Sequence, residues 1–535
     1  MPEISPKEWK FIGITIIIVV SISCFPIIAG LIAKPANSVF LGFQFINRVD
    51  TPVYYSWIEQ AKDGHILFKN LFTSENEPRF IFDPFWLGVG LFGKIFNLSS
   101  FAAYQLARIF LIPILLGLTY IFAAYFIKEE NRRKTCFLLL IFSSGLGWAT
   151  WLIAKIFSLN LSILPMDLWT PEAFTFATIY NSPHFIASLI LLLLVFLLML
   201  MASESGKFFY SITAGLSALI LFQFHPYHIL TIFMVTGIYY LSLCLRDRKI
   251  KWNLAGHFAV LAFLSSPAIF YHLWTLSNFW TRQQFAIQNN CFTPGPLVML
   301  LSYGFIFVLA CVGIYHLSLK RKDDRELFLF VWPLVHLALI YLPLNFQRRL
   351  TAGLHVSLSI LAVYGFYHLK NKNFFLFRKK FLNIFFFITL LTFSNYFLLI
   401  NDLTYYTNPP ETYSSYITKN ESEAMSWLRH NTPAESIIFS LPSHGNLIPA
   451  LSLRATYLGQ WGMTAQAGYK TSEIVRFFKN YHGKIRATFL KNNKINYIFY
   501  GSQERAFGNF NPEQADYLEK VYQNEEVAIY KVAQD

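Results

Sequence analysis

NRVDTPVYYSWIEQAK, residues 47–62, is the stretch on which the reading of the chain turns. It begins shortly after the first long apolar segment, 11–33, has ended. Thr51 can cap a helix and Pro52 suits its first turn. Tyr54, Trp57, Ile58 and Ala61 follow at helical spacing, with Glu59, Lys62 and Asp63 on the other side. That pattern predicts a helix lying along a membrane surface, aromatic face down. Asp50 then stands at its membrane-facing start, either as part of the cap or as a carboxylate aimed at a substrate.

The surrounding composition supplies the membrane. Of 535 residues, 55% are hydrophobic, 18% aromatic and only 14% charged, which excludes an ordinary soluble globular protein. Apolar windows of about twenty residues recur, each long enough to cross a hydrocarbon core of roughly 30 Å as a helix. The first, 11–33, follows Lys7 and Lys10 and exceeds a signal-peptide core, so it reads as a retained anchor. Cys24, Cys136, Cys244 and Cys311 fall within such windows and Cys291 in a loop, which leaves neither a disulfide framework nor a CxxC metal pair.

The formal charge of +14 sits in short segments between apolar windows: KEENRRK (128–134), RDRKIK (246–251), KRKDDRE (320–326) and KNKNFFLFRKK (370–380). Charge so placed sets membrane orientation and gives no reason to expect a nucleic-acid partner. Placing these clusters and the N-terminus in the cytoplasm predicts about eleven spans, with up to about thirteen compatible. They are 11–33, 105–127, 135–157, 184–202, 208–224, 229–245, 253–275, 295–318, 327–343, 350–369 and 381–400, with 85–96 too short to span. The expected organisation is a transmembrane domain, 1–400, with a long first outer loop, 34–104, and an extracytoplasmic domain, 401–535.

On this topology the polar residues collect at one interface, whereas a transporter would carry its ionisable groups near mid-membrane. LPLNFQRRLTAGLH (342–355) sets Arg348 and Arg349 at the mouth of a span, where guanidinium forks suit phosphate oxygens or simply reach lipid headgroups. MDLWTPEAFTFATIYNSPHF (166–185) carries Asp167, Glu172 and His184. Asp167 and Glu172 can serve as a second acid or as oxygen ligands to a divalent ion, while Thr170-Pro171-Glu172 also reads as an ordinary helix start. QFHPYH (223–228) places His225 and His228 in a short turn, without the HExxH set of zinc chemistry, so contacts to sugar or phosphate, or simple interfacial placement, are expected. Arg282, in WTRQQF, is a further candidate on this face.

The ensemble of many spans, a long first outer loop opening on Asp50, and a soluble C-terminal domain on the same side resembles the GT-C class of glycosyltransferases. The resemblance implies transfer of a sugar from a polyprenyl-phosphate carrier to an acceptor at the outer membrane face. It implies that the early acidic residue, here Asp50, is general base on the acceptor, and that basic side chains near the bilayer hold the donor phosphate. Family members often pair that acid with a second one; here Thr51 follows. The chemistry asks for such a base on its own account, because the acceptor hydroxyl must lose its proton as the anomeric bond breaks.

After Pro409-Pro410 the composition becomes that of a globular domain. A helix over 421–430, a strand IIFSL, helices near 472–480 and 484–491, and strands 495–501 and 526–532 predict a small α/β layer fold. PSHGNLIPALSLRATYLGQWGMT (442–464) reads as a loop rich in Gly, His, Arg and Trp, as sugar-binding surfaces often are. No GxGxxG or Walker loop suggests a nucleotide site. The functional expectation is a glycosyltransferase of the bacterial plasma membrane, acting on a lipid-linked sugar and a glycan, lipid or protein acceptor. The competing expectations are a flippase of lipid-linked glycans and a non-catalytic scaffold.

Overall fold

The computed structural model describes residues 3–161, 163–319, 323–372 and 391–533. Half of the expected span 381–400, residues 381–390, and parts of the basic clusters 320–326 and 370–380 lie outside the described residues. The chain divides into two compact units.

The first unit spans Met1–Pro26, Leu106–His272 and Asn290–Asn401, and its described residues are mainly helical. Among the described residues of the chain, seven helices are long and apolar enough to cross a membrane: Pro6–Ile32, Ser100–Phe126, Pro183–Ser205, His228–Asp247, Trp252–Asn278, Pro296–Ser318 and Gln347–Asn371. The expected span 135–157 is broken into Glu130–Phe142 and Gly147–Ile156, bent by 42°. The expected spans 208–224 and 327–343 are the shorter helices Phe208–Phe224 and Asp324–Leu339.

A buried carboxylate explains the break. Asp167 accepts hydrogen bonds from Gly145 N (3.1 Å), Gly147 N (3.0 Å) and Ser394 Oγ (2.6 Å), so backbone donors that a continuous helix would satisfy internally have another acceptor. Burial pushes the Asp167 pKa up to about 7. Leu146 N donates to Leu301 O (2.8 Å), beside the interruption of helix Pro296–Ser318 at Gly304. Further along, that helix meets Leu354–Asn371 through glycines. A Cβ on Gly313 would lie 2.0 Å from Leu361 O, and one on Gly365 2.0 Å from Leu309 O, so the two backbones touch.

The second unit joins Ile27–Gln105, Leu273–Asn289 and Asp402–Asp535. Strand β1 (Ser38–Phe40) pairs antiparallel with β2 (Tyr416–Thr418), Val39 opposite Ile417. The C-terminal segment adds β3 (Ile437–Phe439), β4 (Ala455–Thr456), β5 (Tyr497–Tyr500), β6 (Leu518–Gln523) and β7 (Ala528–Val532). They form one sheet in the order β4-β3-β5-β7-β6, parallel through β4, β3 and β5 and antiparallel at β7 and β6. Phe439, Phe477, Phe478, Phe489 and Phe510 form the centre of its core.

Three features of this unit depart from the sequence reading. The stretch 442–464 is not all loop: Pro442–Leu451 is a helix, with Pro442 in its first turn. Strand β6 was hidden, because LEKVYQ alternates weakly and is largely solvent-facing. Helix Thr51–Lys62 forms, but protein packs against part of its aromatic face. Tyr54 stacks on Trp86 (4.6 Å, 13°) and Trp57 on Phe68 (6.2 Å, 12°), which leaves both rings half-buried.

Candidate functional site

In the first unit, the turn Gln347–Thr351 enters helix Leu354–Asn371 through Gly353, whose φ of 91° needs a glycine. The turn is tied down at Arg348, whose N–H donates to Cys291 O (2.8 Å) while its guanidinium lies 4.6 Å over Trp169. Arg349 Nη1 reaches Glu172 Oε1 at 2.7 Å and its guanidinium sits 5.3 Å from the Tyr227 ring. Tyr227 in turn packs on Phe346, one residue before the turn.

Three histidines complete this cluster: the His184 and His225 rings are 5.3 Å apart, and those of His225 and His228 5.6 Å. Ser182 Oγ is 2.7 Å from His184 Nδ1 and fixes that ring. Burial, then the neighbouring His184, His228 and Arg349, hold the His225 imidazole well below its ordinary pKa, so it is a neutral donor or acceptor at physiological pH. Glu172, His184, His225 and His228 are therefore gathered around Arg349, with Arg348 next to it on the same turn and stacked on Trp169. Two guanidiniums on one turn and three imidazoles against one carboxylate make a cation- and donor-rich cluster, which suits an anion with several oxygens. Among the described residues no group of three or more His, Cys, Asp or Glu side chains could hold a metal ion.

Asp50 and Arg282 belong to the second unit. Asp50 occupies the N-cap position of helix Thr51–Lys62, the place the sequence reading gave to Thr51, yet its side chain makes no cap hydrogen bond. Its Oδ1 instead accepts from Gln460 Nε2 at 2.9 Å. Next to it, Asn446 Nδ2 donates to Val49 O (3.1 Å). Asp83, a second acid of the first loop, does act as a cap, accepting from Trp86 N (3.0 Å), and its burial pushes its pKa up to about 7. Arg282, on helix Trp280–Gln288, lies 5.3 Å from the Phe285 ring. The same helix uses Gln288 to hold Thr464 O (2.8 Å) and Ala467 N (3.0 Å), on either side of the segment that follows Gln460.

The segment that carries Gln460 is itself anchored by a buried ion cluster. His444 Nδ1 lies 2.8 Å from Glu504 Oε1 and Nε2 3.0 Å from Glu421 Oε1. Burial alone would push this imidazole down, but Glu504 and Glu421 outweigh it and raise its pKa to about 10. His444 lies in the first turn of helix Pro442–Leu451, and a Cβ on the next residue, Gly445, would meet Leu458 O at 2.1 Å, so this helix sits directly on the segment that runs from β4 into Gln460. The sequence reading singled out neither Gln460 nor the His444 cluster. Only the composition of 442–464 marked that region.

Neither a family model nor a curated protein matches the chain. Solved structures do. The oligosaccharyltransferase of Archaeoglobus fulgidus, tethered to an acceptor peptide containing the NVT sequon, is similar over 91% of this chain and 69% of its own, at 13% identity and a TM-score of 0.55. Its apo form gives 14% identity, the same coverages and a TM-score of 0.53. The mycobacterial arabinofuranosyltransferase AftD is similar over 100% of this chain but 42% of its own, at 12% identity and a TM-score of 0.57. Both enzymes have the GT-C fold, and this chain shares it.

Proposed function

We propose that this chain is a membrane glycosyltransferase that moves a sugar from a polyprenyl-phosphate carrier to an acceptor at the extracytoplasmic face of the plasma membrane. In this reading the N-terminus is cytoplasmic and the domain 401–535 extracytoplasmic. The observation that carries it is the gathering of Arg348, Arg349 and three imidazoles in a chain of GT-C fold. A lipid phosphate leaving group needs cations and donors more than it needs an acid, because the charge that develops on its oxygens must be stabilised as the anomeric bond breaks.

Each residue then has a task. Arg348 and Arg349 bind the phosphate oxygens, and Glu172 is a supporting acid that aims the Arg349 fork. His184, His225 and His228 donate to phosphate or sugar oxygens, and Arg282 adds a polar contact. Asp50 takes the proton of the acceptor hydroxyl while that oxygen bonds to the anomeric carbon; the bond from that carbon to the carrier phosphate breaks, and the phosphate leaves with the electron pair. The half-exposed Trp461, beside Gln460, offers a flat face to an acceptor sugar ring.

The first test is binding of a panel of polyprenyl-phosphate sugars to detergent-purified protein, read by fluorescence or calorimetry, with Arg348→Ala/Arg349→Ala alongside. One carrier sugar is expected to bind and to be lost in the double variant. Full transfer activity in Asp50→Asn would remove the general-base assignment.

A further inference from the structure

The bond between Asp50 and Gln460 has a direction that the rest of the segment imposes. Gln460 is buried, and its Oε1 accepts the backbone N–H of Met463 at 2.7 Å. With the amide oxygen so engaged, the amide nitrogen must face the other way, which is toward Asp50 Oδ1 at 2.9 Å. The backbone around it is equally fixed. Gly459 N donates to Phe72 O (3.2 Å) and to Thr464 Oγ1 (3.0 Å), Thr464 Oγ1 donates to Phe72 O (2.6 Å), and Thr464 N closes the turn on Gln460 O (2.9 Å).

A carboxylate that is to remove a proton must present one oxygen in one orientation, and a rotating Asp side chain does not. We infer that Gln460 is a positioning residue for Asp50: its amide N–H holds one carboxylate oxygen and thereby fixes the plane in which the group meets the acceptor hydroxyl. The inference rests on the reading of Asp50 as acceptor base. It also gives the C-terminal segment a part in the reaction beyond covering the first loop.

The test is Gln460→Glu, which keeps size and leaves one oxygen for Met463 N while setting a second carboxyl against Asp50. Two carboxyl groups at that distance share a proton, so the pair ionises fully only at higher pH. Transfer is followed from pH 5 to 9 with undecaprenyl-phosphate-linked glucose, mannose, galactose and arabinofuranose, using whichever is turned over. The acid limb of kcat/KM is expected to move up by about one to three pH units, with activity recovering at alkaline pH. That recovery shows the variant is folded. Gln460→Ala is expected to lower kcat about tenfold or more with little change in donor KM.

A Gln460→Glu profile that coincides with the wild type, while Asp50→Asn is inactive, overturns the inference and leaves the glycosyltransferase reading standing. A fully active Asp50→Asn overturns both. Amide hydrogen exchange reads the same contact with no substrate: Gln460→Ala should speed exchange in 459–464 and in the turn at 47–51, and unchanged exchange at both would also refute it.

Discussion

Arg349 Nη1 stands 2.7 Å from Glu172 Oε1, joining two segments 177 residues apart, with the Glu172 side chain only 4% exposed. Removing one member strands the other in a poorly hydrated place, which costs about 3–5 kcal/mol, whereas removing both leaves no lone charge. Arg349→Met alone should therefore destabilise the protein more than Arg349→Met/Glu172→Gln. Thermal unfolding of the wild type, both single variants (Arg349→Met and Glu172→Gln) and the double variant in one detergent decides it; strictly additive losses would show that the pair is not coupled.

His444 makes the second unit sensitive to alkali. Its folded pKa of about 10 lies above the value of about 6.5 expected in an unfolded chain. The folded state thus binds the proton more tightly, so this contribution is complete below about pH 6.5 and is lost as pH rises through about 10. Stability of the 402–535 segment should fall between pH 7 and 10, and His444→Gln should be weaker at pH 7 with a flatter profile. A wild-type profile that does not change over that interval would contradict the charged cluster.

Asp83 works in the same sense with a different window. Its folded pKa, about 7, lies above the roughly 3.9 of an unfolded aspartate, so the folded state again holds its proton more tightly. Its contribution is present below about pH 4 and is lost as pH rises to about 7. Asp83→Asn keeps an acceptor for Trp86 N and has no charge to bury. The variant should match or exceed the wild type in stability at pH 8 while differing little at pH 4. A clear loss at pH 8 would mean that ionised Asp83 is itself stabilising.

Gly365 has no room for a methyl group. A Cβ there would meet Leu309 O at 2.0 Å and Gly313 N at 2.8 Å, and both are backbone atoms. Gly365→Ala should cost about 1–3 kcal/mol, the usual range for overpacking. Gly117→Ala, in another long apolar helix with nothing within 4 Å of the new carbon, is the control and should be neutral or better. Equal melting temperatures for the two variants would argue against the close helix contact.

Legibility of the sequence followed the range of the interactions. The apolar windows gave helices because each span satisfies its own backbone groups, so length and hydropathy suffice. Arg348 and Arg349, and His225 and His228, stood out as polar residues at the ends of apolar runs, and the fold brings both sets to Glu172 and His184. The break after Phe142 could not be seen, since its cause, Asp167, lies twenty residues or more downstream of the donors it satisfies. Asp50 was legible as an unusual acid, but its hydrogen-bond partner Gln460 was not. A glutamine in a loop has no periodicity to betray it, and only tertiary contact shows what its amide faces.

The Asp50–Gln460 bond spans 410 residues, which also orders events in time. Under the proposed function, the first loop is made and carried to the extracytoplasmic face well before residue 460 has been synthesised. The acceptor base would then gain its partner amide only after hundreds of further residues have been added and the later segment has folded against the loop.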